Sequence, residues 1–198
     1  MTAAVRRTPT GPLAPAVAAP RAAVVVAAAG CGALTARPAL LGVAGAGPAV
    51  VLGTLFAVLL AVAVAWPASG FRPPASLSAG PVLALGITAF AVGRLLSAST
   101  PAPIEATAFV VSLNTLAAVA EEAFFRRLVY GALLAAGPAA AVVGSAVLFA
   151  AVHVTVYGAW VLPLDLAAGL LFGWQRHVTG SWAVPAATHS VANLLVVL

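Results

Sequence analysis

The chain has 198 residues, of which 63% are apolar and only 7% charged, against roughly a quarter charged in an ordinary soluble domain. That composition excludes a water-soluble surface. All of the Lys+Arg total of 9 is arginine, and against 4 acids it leaves a net charge of +5. The arginines are scattered rather than gathered into a patch that could follow a phosphate backbone, which excludes nucleic acid as a partner. The single cysteine, Cys31, excludes an intrachain disulfide and a paired-cysteine metal site.

Residues 1–21, with Arg6, Arg7, Arg21, Pro9, Pro12, Pro15 and Pro20, read as a flexible basic tail. Beyond it, residues 38–71, 73–93, 106–120, 128–164 and 177–198 carry no charge if histidine is neutral. A bilayer span needs about 20 mostly apolar residues, so runs of this length mean several spans. Gly45 to Pro48, Trp66-Pro67 through Pro73-Pro74, Pro101 to Pro103, Gly137-Pro138, Gly158 and Gly180 are the breaks. The pattern predicts helices at 22–44, 48–66, 79–98, 104–136, 138–157, 160–176 and 181–198. The fold class is therefore all-α, a polytopic integral membrane bundle of about seven transmembrane helices in the cell membrane. Residues 22–98 form its N-terminal spans, and 99–198 hold the residues that bear chemistry.

Ionisable side chains inside spans are costly in hydrocarbon and mark function by default. The helix predicted at 104–136 carries Glu121-Glu122 and Arg126, the next carries Phe149 and His153, and the last carries His189 and Asn193. Each motif has i,i+4 spacing, which puts its members on one helix face. With the chain reversing at Gly137, Glu121 and His153 each lie 16 residues from the turn, or about 24 Å at 1.5 Å per residue. Counting back from the turn near Thr179 brings His189 within a few ångströms of that level. Accidental polar residues would not share one depth.

Within the first motif, Glu122 pairs with Arg126 in the favourable order, acid first. Glu121 is rotated by about 100° and is expected to be free, a candidate general base; its bland alternative is to be held protonated or to pair with Arg127. Asn114, seven residues earlier, shares its face. Phe124, Phe125 and Phe149 read as packing, and Asp165 as either an interface residue or an outer partner of the site. His177 reads as interfacial, Arg94 as a snorkelling residue, and Glu105 as a helix-start acid favoured by the macrodipole.

These three ordered motifs resemble the CPBP family, the CAAX-processing and bacteriocin-processing intramembrane endopeptidases that include type II CAAX prenyl endopeptidases. The family pattern is Glu-Glu-x-x-x-Arg, then Phe-x-x-x-His, then His-x-x-x-Asn. It is met here by Glu121-Glu122…Arg126, Phe149…His153 and His189…Asn193, flanked by Arg127-Leu128-Val129-Tyr130-Gly131 and Gly180-Ser181-Trp182. The resemblance covers about residues 100–196.

The resemblance implies hydrolysis of a peptide bond in a membrane-anchored or lipidated protein or peptide. Glu121 would activate the water, His153 would hold it, and His189 and Asn193 would donate to the oxyanion. Glu122 and Arg126 would orient the motif. Glu121, His153 and His189 could equally form a catalytic zinc set, so the implied cofactor is either none or Zn²⁺. Asn193 is a poor zinc ligand and a good oxyanion donor, which favours the metal-free route. The competing functions are a non-catalytic scaffold for bacteriocin immunity or partner binding, and a transporter with a proton-relay carboxylate. An N-terminus inside the cell would satisfy the positive-inside rule but would put the motifs nearer the outer face.

Overall fold

The computed structural model describes residues 20–43, 47–67, 69–71, 73, 76–97 and 106–197. Among these residues every regular element is helical: α1 (Pro20–Thr35), α2 (Arg37–Val43), α3 (Pro48–Ala65), α4 (Ala79–Leu96), α5 (Ala108–Glu122), α6 (Tyr130–Leu133), α7 (Pro138–Tyr157), α8 (Leu162–Thr179) and α9 (Ala183–Val197). A π-helical stretch, Ala123–Val129, joins α5 to α6, and short 3₁₀ turns, Leu134–Ala136 and Ala159–Val161, precede α7 and α8.

The breaks follow local chemistry. Proline stands in the first turn of α3, α7 and α8, where its missing N–H costs nothing. Thr107 caps α5 by accepting from the Val110 N–H at 3.2 Å. Gly137 and Gly158 turn the chain with φ of 103° and 88°, conformations open to glycine. The helix expected at 22–44 is two helices, because Pro38 bends the chain at Ala36. Pro20 and Arg21, expected in the tail, open α1. The remainder of the tail, Arg72 and Glu105 lie outside the described residues.

Four stretches are long and apolar enough to cross a membrane: Pro48–Ala65, Ala79–Leu96, Ala108–Ala136 and Pro138–Tyr157. The helices Arg21–Thr35 and Ala183–Val197 are apolar but shorter. Val50, Val58 and Val62 of α3 and Leu85 and Val92 of α4 are exposed, as a lipid-facing surface requires.

Inside, Phe124, Phe125, Phe149 and Phe172 form the aromatic centre of a core that includes Leu34, Phe56 and Leu59. Phe125 meets Phe149 edge-on at 5.5 Å between ring centroids, and Phe149 meets Phe172 at 6.0 Å. The antiparallel α7 and α8 approach closely through glycine. A Cβ on Gly169 would lie 3.0 Å from the Ala146 Cα, and one on Gly173 would lie 3.1 Å from Val142 Cγ1. Small residues at such crossings are the usual means of packing helices in lipid.

Candidate active site

Glu121 and Glu122 end α5, at the point where the backbone widens from α to π. Widened turns inside α-helices recur at functional sites. Glu122 and Arg126 are fully buried, Glu121 is 3% exposed, and His153 and His189 are 8% and 7% exposed. Five polar side chains at this degree of burial have to satisfy one another.

The expected pair of the first motif is present, with Arg126 Nε 3.2 Å from Glu122 Oε2. Arg126 is held from three sides. Its Nη2 donates to the Gly169 carbonyl at 3.1 Å, and its guanidinium lies 4.8 Å from the Phe149 ring centroid and 5.4 Å from that of Phe172. Such contacts attract a desolvated cation. The second oxygen of Glu122 faces His189 Nδ1 at 3.1 Å.

Glu121 is not free, contrary to the expectation from sequence. Arg37 of α2 places Nη1 3.2 Å from Glu121 Oε1, while Glu121 Oε2 faces His153 Nε2 at 3.7 Å. Arg127, the partner considered from sequence, turns away. It donates to the carbonyls of Ala63, Val64 and Trp66 and so caps the C-terminus of α3.

At the common level given by the count from the turns, the structure sets His153 beside Glu121 and His189 beside Glu122. His153 Nδ1 lies 2.7 Å from the Phe149 carbonyl of its own helix. A carbonyl only accepts, so Nδ1 carries the proton and Nε2 is the atom presented to Glu121. Asp165 Oδ2 lies 4.0 Å from the same Nδ1, which makes Asp165 an outer partner of His153. Phe149 packs as expected, and its ring meets both imidazoles, with its centroid 4.6 Å from that of His153 and 5.6 Å from that of His189. Asn193 donates from Nδ2 to the Asn114 carbonyl at 3.5 Å. The Asn114 side chain bonds back to Val110 instead.

Glu121, His153 and His189 were also a possible zinc set. Among the described residues no group of three His, Cys, Asp or Glu side chains is arranged to hold a metal ion. His189 Nδ1 is committed to Glu122 and Glu121 Oε1 to Arg37. Each commitment leaves a second donor atom, His189 Nε2 and Glu121 Oε2, as metal-ligating side chains often have, so it is the arrangement of the three side chains, not a loss of donors, that does not fit a shared ion.

Two neighbours were missed from sequence. Arg37 reads in the sequence only as a boundary between apolar runs, and nothing local links it to Glu121. Tyr157, whose ring stacks on His153 at 5.9 Å with 9° between planes, was legible as an aromatic one turn beyond the histidine. Elsewhere, His177 Nδ1 meets the Tyr130 hydroxyl at 3.0 Å. Arg94 donates to the Leu195 carbonyl at 3.2 Å, tying α4 to the end of α9 rather than reaching for solvent.

The arrangement defines a membrane helix bundle with a buried acid–imidazole centre. Residues 103–195 match the family model described as Rce1-like, Type II CAAX prenyl endopeptidase Rce1-like. The match spans all three motifs and leaves out α1 to α4. No curated protein and no solved structure gives a match.

Proposed function

We propose that this protein is an intramembrane endopeptidase of the cell membrane that hydrolyses a peptide bond in a membrane-anchored or lipidated protein or peptide. The observation that carries this reading is the facing of Glu121 Oε2 and His153 Nε2 at 3.7 Å from two different helices. A water molecule can hydrogen-bond to both atoms at ordinary distances of about 2.8 Å.

In this mechanism Glu121 takes a proton from the water, whose oxygen attacks the scissile carbonyl carbon while His153 holds it in place. The carbonyl oxygen becomes an oxyanion and accepts from His189 and Asn193. His189 donates to it from Nε2, and with Nδ1 also donating to Glu122 the ring acts as an imidazolium. The tetrahedral intermediate collapses with cleavage of the C–N bond, and the proton held by Glu121 passes to the leaving amine. Glu122 and Arg126 keep His189 and the start of the π turn in place.

The completeness of the ion pairing favours a second reading, a non-catalytic scaffold in which the same residues only fix helix packing. One experiment separates the two. Wild type and Glu121→Gln are incubated in detergent or lipid with prenylated and unprenylated membrane-anchored peptides, with and without chelator. Cleavage by wild type that survives chelator and is lost in Glu121→Gln is the expected result. Loss in chelator would point to metal, and equal cleavage by both proteins would remove Glu121 from the mechanism. Absence of cleavage across the panel would favour the scaffold.

A further inference from the structure

We infer that Arg37 is a positioning residue for Glu121, an inference that rests on the hydrolytic reading of the site given above. Arg37 stands at the start of α2, outside the 103–195 match and 84 residues before its partner. It is nevertheless 7% exposed, with Nη1 3.2 Å from Glu121 Oε1.

The side chain is fixed before it reaches the carboxylate. Its Nε donates to the Leu34 carbonyl at 2.8 Å, and the Phe56 ring centroid lies 5.9 Å from the guanidinium carbon. The corner between α1 and α2 is itself tied to α7, because Thr155 Oγ1 donates to the Thr35 carbonyl at 3.0 Å. Thr155 lies two residues beyond His153. The element that delivers Arg37 is thus anchored to the element that carries the imidazole.

This geometry divides the carboxylate. Oε1 is engaged by Arg37, and Oε2 is left toward His153 Nε2. A carboxylate at this depth needs an opposite charge, and the other nearby guanidiniums are committed, Arg126 to Glu122 and Arg127 to the end of α3. Arg37 Nη2 is buried with no hydrogen-bond partner among the described residues. The guanidinium is therefore not held there by a full set of hydrogen bonds, and the ion pair with Glu121 is what its burial gains. Arg37 touches no reacting atom in this scheme. It sets which oxygen of Glu121 meets the water.

The test uses the full-length protein in detergent with a peptide that wild type cleaves, comparing Arg37→Ala, Arg37→Lys, Glu121→Gln and the Arg37→Ala/Glu121→Gln double variant. Misplacing a catalytic group by about 1 Å can cost on the order of 100-fold, and Arg37→Ala is expected to lose that much in kcat with KM within about threefold. Arg37→Lys recovers part of the loss. Millimolar guanidinium ion recovers part of it in Arg37→Ala and none in Glu121→Gln. Thermal unfolding of the four proteins gives a readout independent of catalysis, in which losses in Tm at residues in contact are not additive. The double variant is therefore expected to lose no more than the worse single one.

Wild-type kcat in Arg37→Ala overturns the proposal. So does a loss that neither lysine nor guanidinium relieves, or Tm losses that add. Failure of the hydrolytic reading looks different: Glu121→Gln cleaves like wild type, or wild type cleaves nothing. The unfolding cycle then still decides whether Arg37 and Glu121 act as a pair.

Discussion

Glu122 is clamped between two partners, with His189 Nδ1 3.1 Å from one carboxylate oxygen and Arg126 Nε 3.2 Å from the other. The first and last motifs of the chain therefore meet at one fully buried side chain. Removing one member of such a set leaves an uncompensated buried charge, at a cost of about 3–5 kcal/mol. Glu122→Gln is expected to destabilise the protein by about that much and to depress cleavage along with it, because His189 loses its orienting acceptor. Thermal unfolding alongside kcat checks this. A variant as stable as wild type would show that the clamp is not what holds α5 to α9.

Asn193 can be separated from the stability question because it is only partly buried and, among the described residues, its side chain makes a single long hydrogen bond. Under the proposed mechanism, Asn193→Ala lowers kcat by roughly 100- to 1,000-fold, the usual effect of losing one oxyanion donor, with KM and Tm close to those of wild type. A rise in KM at unchanged kcat would instead make Asn193 a substrate-binding group.

The contact between α7 and α8 yields a contrast between two glycines. A methyl group on Gly169 would press on the Ala146 backbone, whereas among the described residues nothing beyond Gly32's own stretch of helix lies within 4 Å of the corresponding position there. Overpacking costs about 1–3 kcal/mol, so Gly169→Ala is expected to lower Tm. It should also disturb the Gly169 carbonyl that accepts from Arg126. Gly32→Ala is expected to hold or raise Tm, since alanine is about 1 kcal/mol better than glycine within a helix. Unfolding curves of the two variants under one detergent condition decide the matter.

Arg127 provides the matched control for its neighbour in the motif. Its Nε and Nη2 donate to carbonyls at the end of α3. Arg127→Ala is expected to lower Tm through the lost cap while leaving kcat within about twofold of wild type. A large loss of kcat at unchanged Tm would require a role at the site that these contacts do not provide.

Much of this structure was legible in the sequence because hydrocarbon makes charge conspicuous. Helix boundaries followed Gly137, Gly158 and the prolines, and counting residues from the turns was enough to bring Glu121 level with His153, since rise per residue is nearly constant in a helix. Rotation was harder to read. Which oxygen meets which partner depends on helix azimuth, and the π stretch after Glu122 changes that azimuth without any glycine or proline to announce it. Arg37 was hidden for another reason: its partner lies 84 residues away, and only the tertiary path of α2 brings them together. The break at Ala36 falls inside the helix expected at 22–44, and a proline near the start of a helix does not reveal which way the preceding side chain will face.

The seven residues from Ala123 to Val129 have a mechanical consequence. Each turn there holds more residues than the turns on either side, so the helix advances out of phase with itself. The half before the stretch keeps time with α7 and α9, where Glu121 and Glu122 find their imidazoles, while Arg127, within the stretch, keeps time with α3. One rod thereby meshes with two sets of neighbours whose spacing no uniform helix would match, and losing a single residue from the stretch would put the two halves back in step at the expense of one set.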